Sequence, residues 1–149
     1  MAELDALDKK ILDLLMKDGR MPIAQIAQQI ELSRVGARER INKLKKRGVI
    51  TKFIPLIDNI AIGYTCSAFL DIEVGPQSLE SVAEELTELD EIMVVYLMTG
   101  NVSLHAHALM LDNKHLAEFL RTKIYRIPGI TNVNVSVMLK RYKTELNLL

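Results

Sequence analysis

The chain has 149 residues, 49% of them hydrophobic and 26% charged, the balance of a globular protein of one or two small domains, which excludes a disordered chain. Its 19 Lys and Arg match its 19 Asp and Glu, so the formal net charge is zero, and taken alone that argues against a nucleic-acid binder. The longest mostly apolar stretch, residues 61–70, is half of what a membrane helix needs; the start MAELDALDKK is too charged for a signal peptide; and one cysteine, Cys66, allows no internal disulfide, so a reducing, cytoplasmic setting is expected.

In chain order, Leu4, Leu7, Ile11, Leu14 and Leu15 recur at helical spacing, with Asp5 and Asp8 in the first turn, where the helix dipole favours acids. Gly19 suits a C-terminal stop. Pro22 suits the start of a second, short helix to about Ile30. Glu31 and Leu32 make a tight connection, and Ser33 is a good N-cap for a third helix running to about Arg47. On that helix Ala37, Ile41 and Leu44 fall within about 60° of one another, while Arg34, Arg38, Asn42 and Lys45 fill a neighbouring arc of about 80°. Gly48 ends it, and residues 49–53 read as a strand.

The zero net charge is a cancellation. Residues 1–52 hold 12 Lys/Arg and 7 Asp/Glu, a net of +5; residues 53–149 hold 7 and 12, a net of −5. Residues 33–52 alone carry eight bases and one acid, Glu39. With a Debye length of roughly 8 Å, a distant acidic lobe does not cancel such a patch. A short helix, a tight turn and a longer basic helix make a helix-turn-helix, whose third helix enters the major groove N-terminus first. Arg34 and Arg38 suit guanine edges, and Lys43, Lys45 and Lys46 suit phosphates. The expected DNA-contacting set is Ser33, Arg34, Gly36, Arg38, Arg40, Asn42, Lys43, Lys45 and Lys46.

Residues 58–63 read as a linker, with Pro55 near its start. Beyond it the pattern predicts strands over 66–74, 92–99, 102–111 and 130–139 and helices over 79–89 and 113–125. This β-α-β-β-α-β order is the ferredoxin-like split βαβ arrangement, and Gly100-Asn101 marks its hairpin. Such a sheet has one face without helices. The run 92–98 is apolar on both faces, so a second copy of the chain is the expected cover. His105 and His107 alternate on one strand face. With no third ligand in sight they suit a subunit contact or a pH-sensitive interface better than a metal, and no metal site is expected. Glu80, Glu84, Glu85, Glu88, Asp90 and Glu91 read as a solvated acidic face, and Cys66 as a small apolar residue. No phosphate loop, GxSxG or HExxH appears, and no catalytic residues are expected.

The segments LDxxDxxIL at 4–12, LSRVGARERINKLKKRGVI at 32–50, IPxID and IGY within 54–64, and TGN and IPGI further on resemble the leucine-responsive regulatory protein/AsnC (feast/famine) family of transcription regulators. The resemblance implies an α+β chain with a winged helix-turn-helix domain over 1–52, a linker over 53–64, and a βαββαβ effector-sensing and oligomerisation domain over 65–149. It implies double-stranded DNA as partner, homodimers assembling to octamers, and an effector site between dimers. That site falls on Thr99, Gly100, Asn101, Val102 and Ser103, with Val133 and Val135 of the last strand. No cofactor is implied beyond an amino acid or related small molecule as effector.

Here the chain departs from the family pattern. The turn usually reads Gly-Asp-x-Asp and here reads Gly100-Asn101-Val102-Ser103, and two usual threonines are Val133 and Val135. A site without those carboxylates and hydroxyls is a weaker receptor for an amino acid. The expected function is a sequence-specific regulator of amino-acid or nitrogen metabolism genes. The rival readings are a tetrapyrrole-decarboxylase-like enzyme on the same architecture and a non-specific architectural DNA-binding protein.

Overall fold

The computed structural model describes residues 4–100 and 103–143. They form two compact units, divided between Leu56 and Ile57, each with its own core.

The first unit holds three helices, α1 (Ala6–Lys17), α2 (Ile23–Gln29) and α3 (Arg34–Lys46). Asp5 caps α1, its carboxylate accepting the Asp8 N–H at 2.7 Å. Gly19 is not the stop expected of it. The helix ends on Asp18 in extended backbone, whose side chain accepts the Arg20 N–H at 2.9 Å and whose carbonyl accepts that of Met21 at 3.0 Å. Pro22 stands just before α2 rather than inside it. The α2–α3 turn needs a left-handed residue, and Glu31 supplies it at φ 58°, at a steric cost that glycine would not bear. Ser33 caps α3 by accepting the Gly36 N–H at 3.0 Å. The three helices close on Ile11, Leu14, Ile26, Ala27, Ile30, Ala37, Ile41 and Leu44, so the predicted Ala37–Ile41–Leu44 stripe is the face that packs.

The strand expected over residues 49–53 does not form. Gly48, at φ 71°, turns the chain, its N–H bonding the Lys45 carbonyl at 3.0 Å, while the N–H groups of Val49 and Ile50 both return to Leu44, at 2.9 and 3.2 Å. This is the paired closure of a helix C-terminus, and Val49 and Ile50 pack against the helical core.

The second unit is a four-stranded antiparallel sheet with strand order β2-β3-β1-β4, from β1 (Cys66–Val74), β2 (Ile92–Leu97), β3 (Leu104–Met110) and β4 (Ile130–Val137). Helices α4 (Leu79–Thr87) and α5 (Asn113–Thr122) lie on one face. Strand periodicity decides that face. Ala68, Leu70 and Ile72 of β1 and Leu104, Ala106, Ala108 and Met110 of β3 are buried against Val82, Leu86, Leu116 and Phe119. Residues 58–63, read as a linker, make an ordered turn closed by Tyr64: Asp58 accepts the Ile60 N–H at 3.0 Å, and the Tyr64 N–H reaches the Asn59 carbonyl at 2.9 Å. Cys66 is buried, and burial raises its thiol pKa, which makes it inert.

Candidate nucleic-acid interface and sensor face

Helix α3 sorts its side chains by angle. The core stripe faces inward, and Arg34, Arg38, Asn42, Lys43, Lys45 and Lys46 are exposed. Among the described residues no ion pair engages Arg34, Arg38, Lys43 or Lys46. Lys45 lies over the Phe53 ring, 5.1 Å from its centre, so its ammonium is steadied but still exposed. The Ser33 cap fixes the N-terminal turn from which Arg34 and Arg38 project.

Arg40 and Gly36 stand apart from this set. At 100° per residue Arg40 lies about 120° from Arg34, on the flank toward α1. Its Nη1 donates to Asp5 at 2.7 Å and to Asp8 at 2.8 Å. Asp8 is buried, and Arg47 also reaches it at 3.7 Å. The backbone N–H of Asp8, then Arg40, hold the Asp5 carboxyl below the usual range, and the two acids raise the Arg40 guanidinium in turn. Arg40 therefore ties α3 to α1. Gly36 is half-buried beside Ser33 and Leu32, where an added Cβ would lie 3.4 Å from the Ser33 hydroxyl. Both line a cleft of about 430 Å³ that also holds Asp5, Asp8, Glu39, Lys43 and Arg47, an acid-bearing surface unlike the basic arc.

In the second unit, Thr99 and Gly100 of the expected effector site follow β2, while Ser103, Val133 and Val135 lie beside β1 between Leu70 and Val74. Thr99 and Gly100 are exposed, with Gly100 at φ 109°. The Ser103 N–H donates to the Ile72 carbonyl at 3.1 Å, and its hydroxyl accepts the Val74 N–H at 3.2 Å. Asn101 and Val102 lie outside the described residues. Val133 pairs with Ile72 and Val135 with Leu70, and both valines are half-buried against the core on the helix-covered face. Ser103 and Val133 thus meet the same residue of β1.

The helix-free face carries a stack that the sequence does not announce. Phe69 lies parallel to His107 at 4.6 Å and to His105 at 5.8 Å, because register pairs Phe69 with His107 and Asp71 with His105. His105 Nδ1 meets Asp71 at 2.7 Å, and His107 Nε2 meets the Ser67 hydroxyl at 2.7 Å. Burial, then the charges of Arg141 and His105, lower the His107 pKa. Val94, Tyr96 and Leu109 extend the same face. Among the described residues no three His, Cys, Asp or Glu side chains converge as a metal site. The acidic run is not all solvated. Glu91 is held by Lys123 at 2.6 and 2.9 Å, with His115 at 3.9 Å. Burial pushes its carboxyl up, but Lys123, a backbone N–H and the charge of His115 outweigh it and hold the pKa below the usual range.

A helix-turn-helix with a basic exposed arc, followed by an α/β sandwich with one helix-free face, defines a two-domain DNA-binding regulator. The comparisons agree. The AsnC-type helix-turn-helix domain matches residues 4–45 and the Lrp/AsnC ligand binding domain matches residues 67–148. The chain belongs to the Lrp/AsnC family of transcriptional regulators. It is 34% identical over 145 residues to the HTH-type transcriptional regulator FL11 of Pyrococcus abyssi, covering 97% of this chain and 95% of that one. It is 32% identical over 140 residues to the regulator LrpA of the same organism, covering 94% and 99%. Among solved structures, AsnC of E. coli superposes with a TM-score of 0.91 at 26% identity, covering 95% and 96%. A Neisseria meningitidis regulator, NMB0573, solved as a complex with L-Met, superposes at 0.94 with 21% identity, covering 99% and 97%. The family and these relatives are transcriptional regulators, not enzymes, which sets aside the decarboxylase reading. Among the described residues no helix is long and apolar enough to cross a membrane.

Proposed function

We propose that the chain is a cytoplasmic, sequence-specific regulator of amino-acid or nitrogen metabolism genes. It reads the major groove with α3, using Arg34 and Arg38 on bases and Lys43, Lys45 and Lys46 on phosphates. One observation carries this reading: the Ser33-capped helix buries its apolar stripe, and among the described residues no ion pair engages its basic arc. The domains are taken as 1–52, a connector over 53–64, and 65–149. Two copies close face to face over Phe69, Val94, Tyr96 and Leu109 to present two recognition helices to two half-sites, and such dimers assemble further, to an octamer.

The test is selection of sites from a random DNA pool with the full-length chain, followed by footprinting and a salt series. A regulator gives a bounded footprint on an enriched sequence, with affinity falling steeply with salt. Protection that spreads regularly along any DNA would instead make it an architectural protein. Light scattering reads the assembly, and a monomer at micromolar concentration would sink the face-to-face pairing.

The effector is a small molecule bound near Thr99–Gly100 and Ser103, at the interface between dimers. The L-Met complex of the Neisseria regulator makes methionine the first compound to try. The loss of turn carboxylates here argues for weak or altered amino-acid sensing. Calorimetry against the common amino acids is expected to show no micromolar binding, and one micromolar binder would overturn that part.

A further inference from the structure

The recognition helix presents one large apolar side chain that its own unit does not cover. Val35 is 67% exposed, while Ala37, Ile41 and Leu44 of the same helix are buried. At 100° per residue it lies about 20° from Asn42 and about 60° from Arg38. It therefore belongs to the basic arc and not to the core stripe. It is also the second residue after the Ser33 cap, in the turn that reaches the floor of the groove first. Nothing local favours valine there. A β-branched residue is a poorer helix former than alanine or lysine, and its stiff χ1 holds its two methyls in one direction.

Flanking guanidiniums commit this surface to a polyanion, and DNA offers an apolar partner in one place. In the major groove the thymine C5 methyl is the one apolar group among the base edges, beside the guanine acceptors that suit arginine. We infer that Val35 is a specificity residue that packs on a thymine methyl next to a guanine read by Arg34 or Arg38. This rests on the DNA-binding reading and sharpens it, since it requires a T beside a G in each half-site. Asn42, about 20° away on the wheel, lies two turns, about 10 Å, further along the helix and does not compete for the methyl.

The test uses the sequence enriched from the random pool and the full-length protein. Uracil replaces thymine one position at a time, in both half-sites together. This removes the methyl and leaves the pairing edge intact. One position is expected to cost the wild-type protein about fourfold in Kd per half-site, the worth of about one buried methylene-sized group. Val35→Ala should lose about the same on thymine DNA, and uracil at that position should then cost it nothing further. Because Val35 is exposed, its melting temperature should equal that of the wild type, which separates lost recognition from lost folding. Uracil tolerated at every position, or a uracil penalty undiminished in Val35→Ala, would overturn the inference while leaving the DNA-binding reading intact. Failure to enrich any sequence overturns both.

Discussion

Arg38 and Arg40 stand two positions apart on one helix, the first exposed and the second held by two acids. The guanidinium of Arg40 is pinned between Asp5 and Asp8, and Asp8 is buried. Removing Arg40 strips the buried Asp8 of its shortest charged partner and leaves it Arg47 at 3.7 Å. Arg40→Ala is therefore expected to destabilise the helical unit by about 1–3 kcal/mol in urea denaturation. Arg38→Ala should leave stability within about 0.5 kcal/mol and weaken DNA binding by about 1–3 kcal/mol. If the two variants behave alike in either measurement, this division of labour is wrong. The helical wheel already separates Arg40 from the Arg34–Arg38–Asn42 arc. The partners that engage it, 32 and 35 residues earlier on α1, cannot be read from periodicity.

At the scale of elements, sequence patterns work where burial enforces them. Strand β1 runs over residues 66–74 as expected, because alternate residues from Cys66 to Val74 are buried. The Ser33 cap is legible for a similar reason, since its hydroxyl satisfies a backbone N–H that has no partner inside the helix. Residues 49–53 fail the other way. Their β-branched and aromatic residues fit a strand, but a strand needs a neighbour, and the first two N–H groups are already bound to Leu44. The antiparallel pairing of β2 with β3 is legible from Gly100, at φ 109°, whereas the Phe69–His105–His107 stack depends on the register of β1 against β3.

Backbone geometry makes one more element-scale claim. Gly129, at φ 96°, brings the chain against the start of α4, and its carbonyl accepts the Gly75 N–H at 3.1 Å. A Cβ there would lie 2.3 Å from the Cβ of Ser78. Gly129→Ala is expected to cost about 1–3 kcal/mol through overpacking and strain, read as a lower thermal midpoint. Ser78→Gly in the same chain should restore part of it. No rescue would mean that the left-handed backbone, and not the close approach, sets the cost.

Across the whole molecule, the sandwich unit is built to lose stability on acidification. His107 has a pKa below its ordinary 6.5 in the folded chain, so the unfolded chain binds more protons from about that pH downward and stability falls. Around it stand Phe69, Ser67, His105 with its partner Asp71, and Arg141. Glu91 adds a second loss. Its folded pKa lies below 4.5, so its contribution is present above that value and vanishes as pH drops through the folded one. Melting curves from pH 7 to 4 should show the decline begin near 6.5, and His107→Gln should delay its onset toward the Glu91 range. An unchanged onset in that variant would place the proton elsewhere.

The two cores share no residue. Mutations that repack the helical bundle leave the sandwich interior untouched, and the reverse holds as well. Under the proposed function, the genomic address and the incoming message are written in separately editable text. Grafting this sandwich behind another member's bundle should transplant the signal without changing the promoter it reaches.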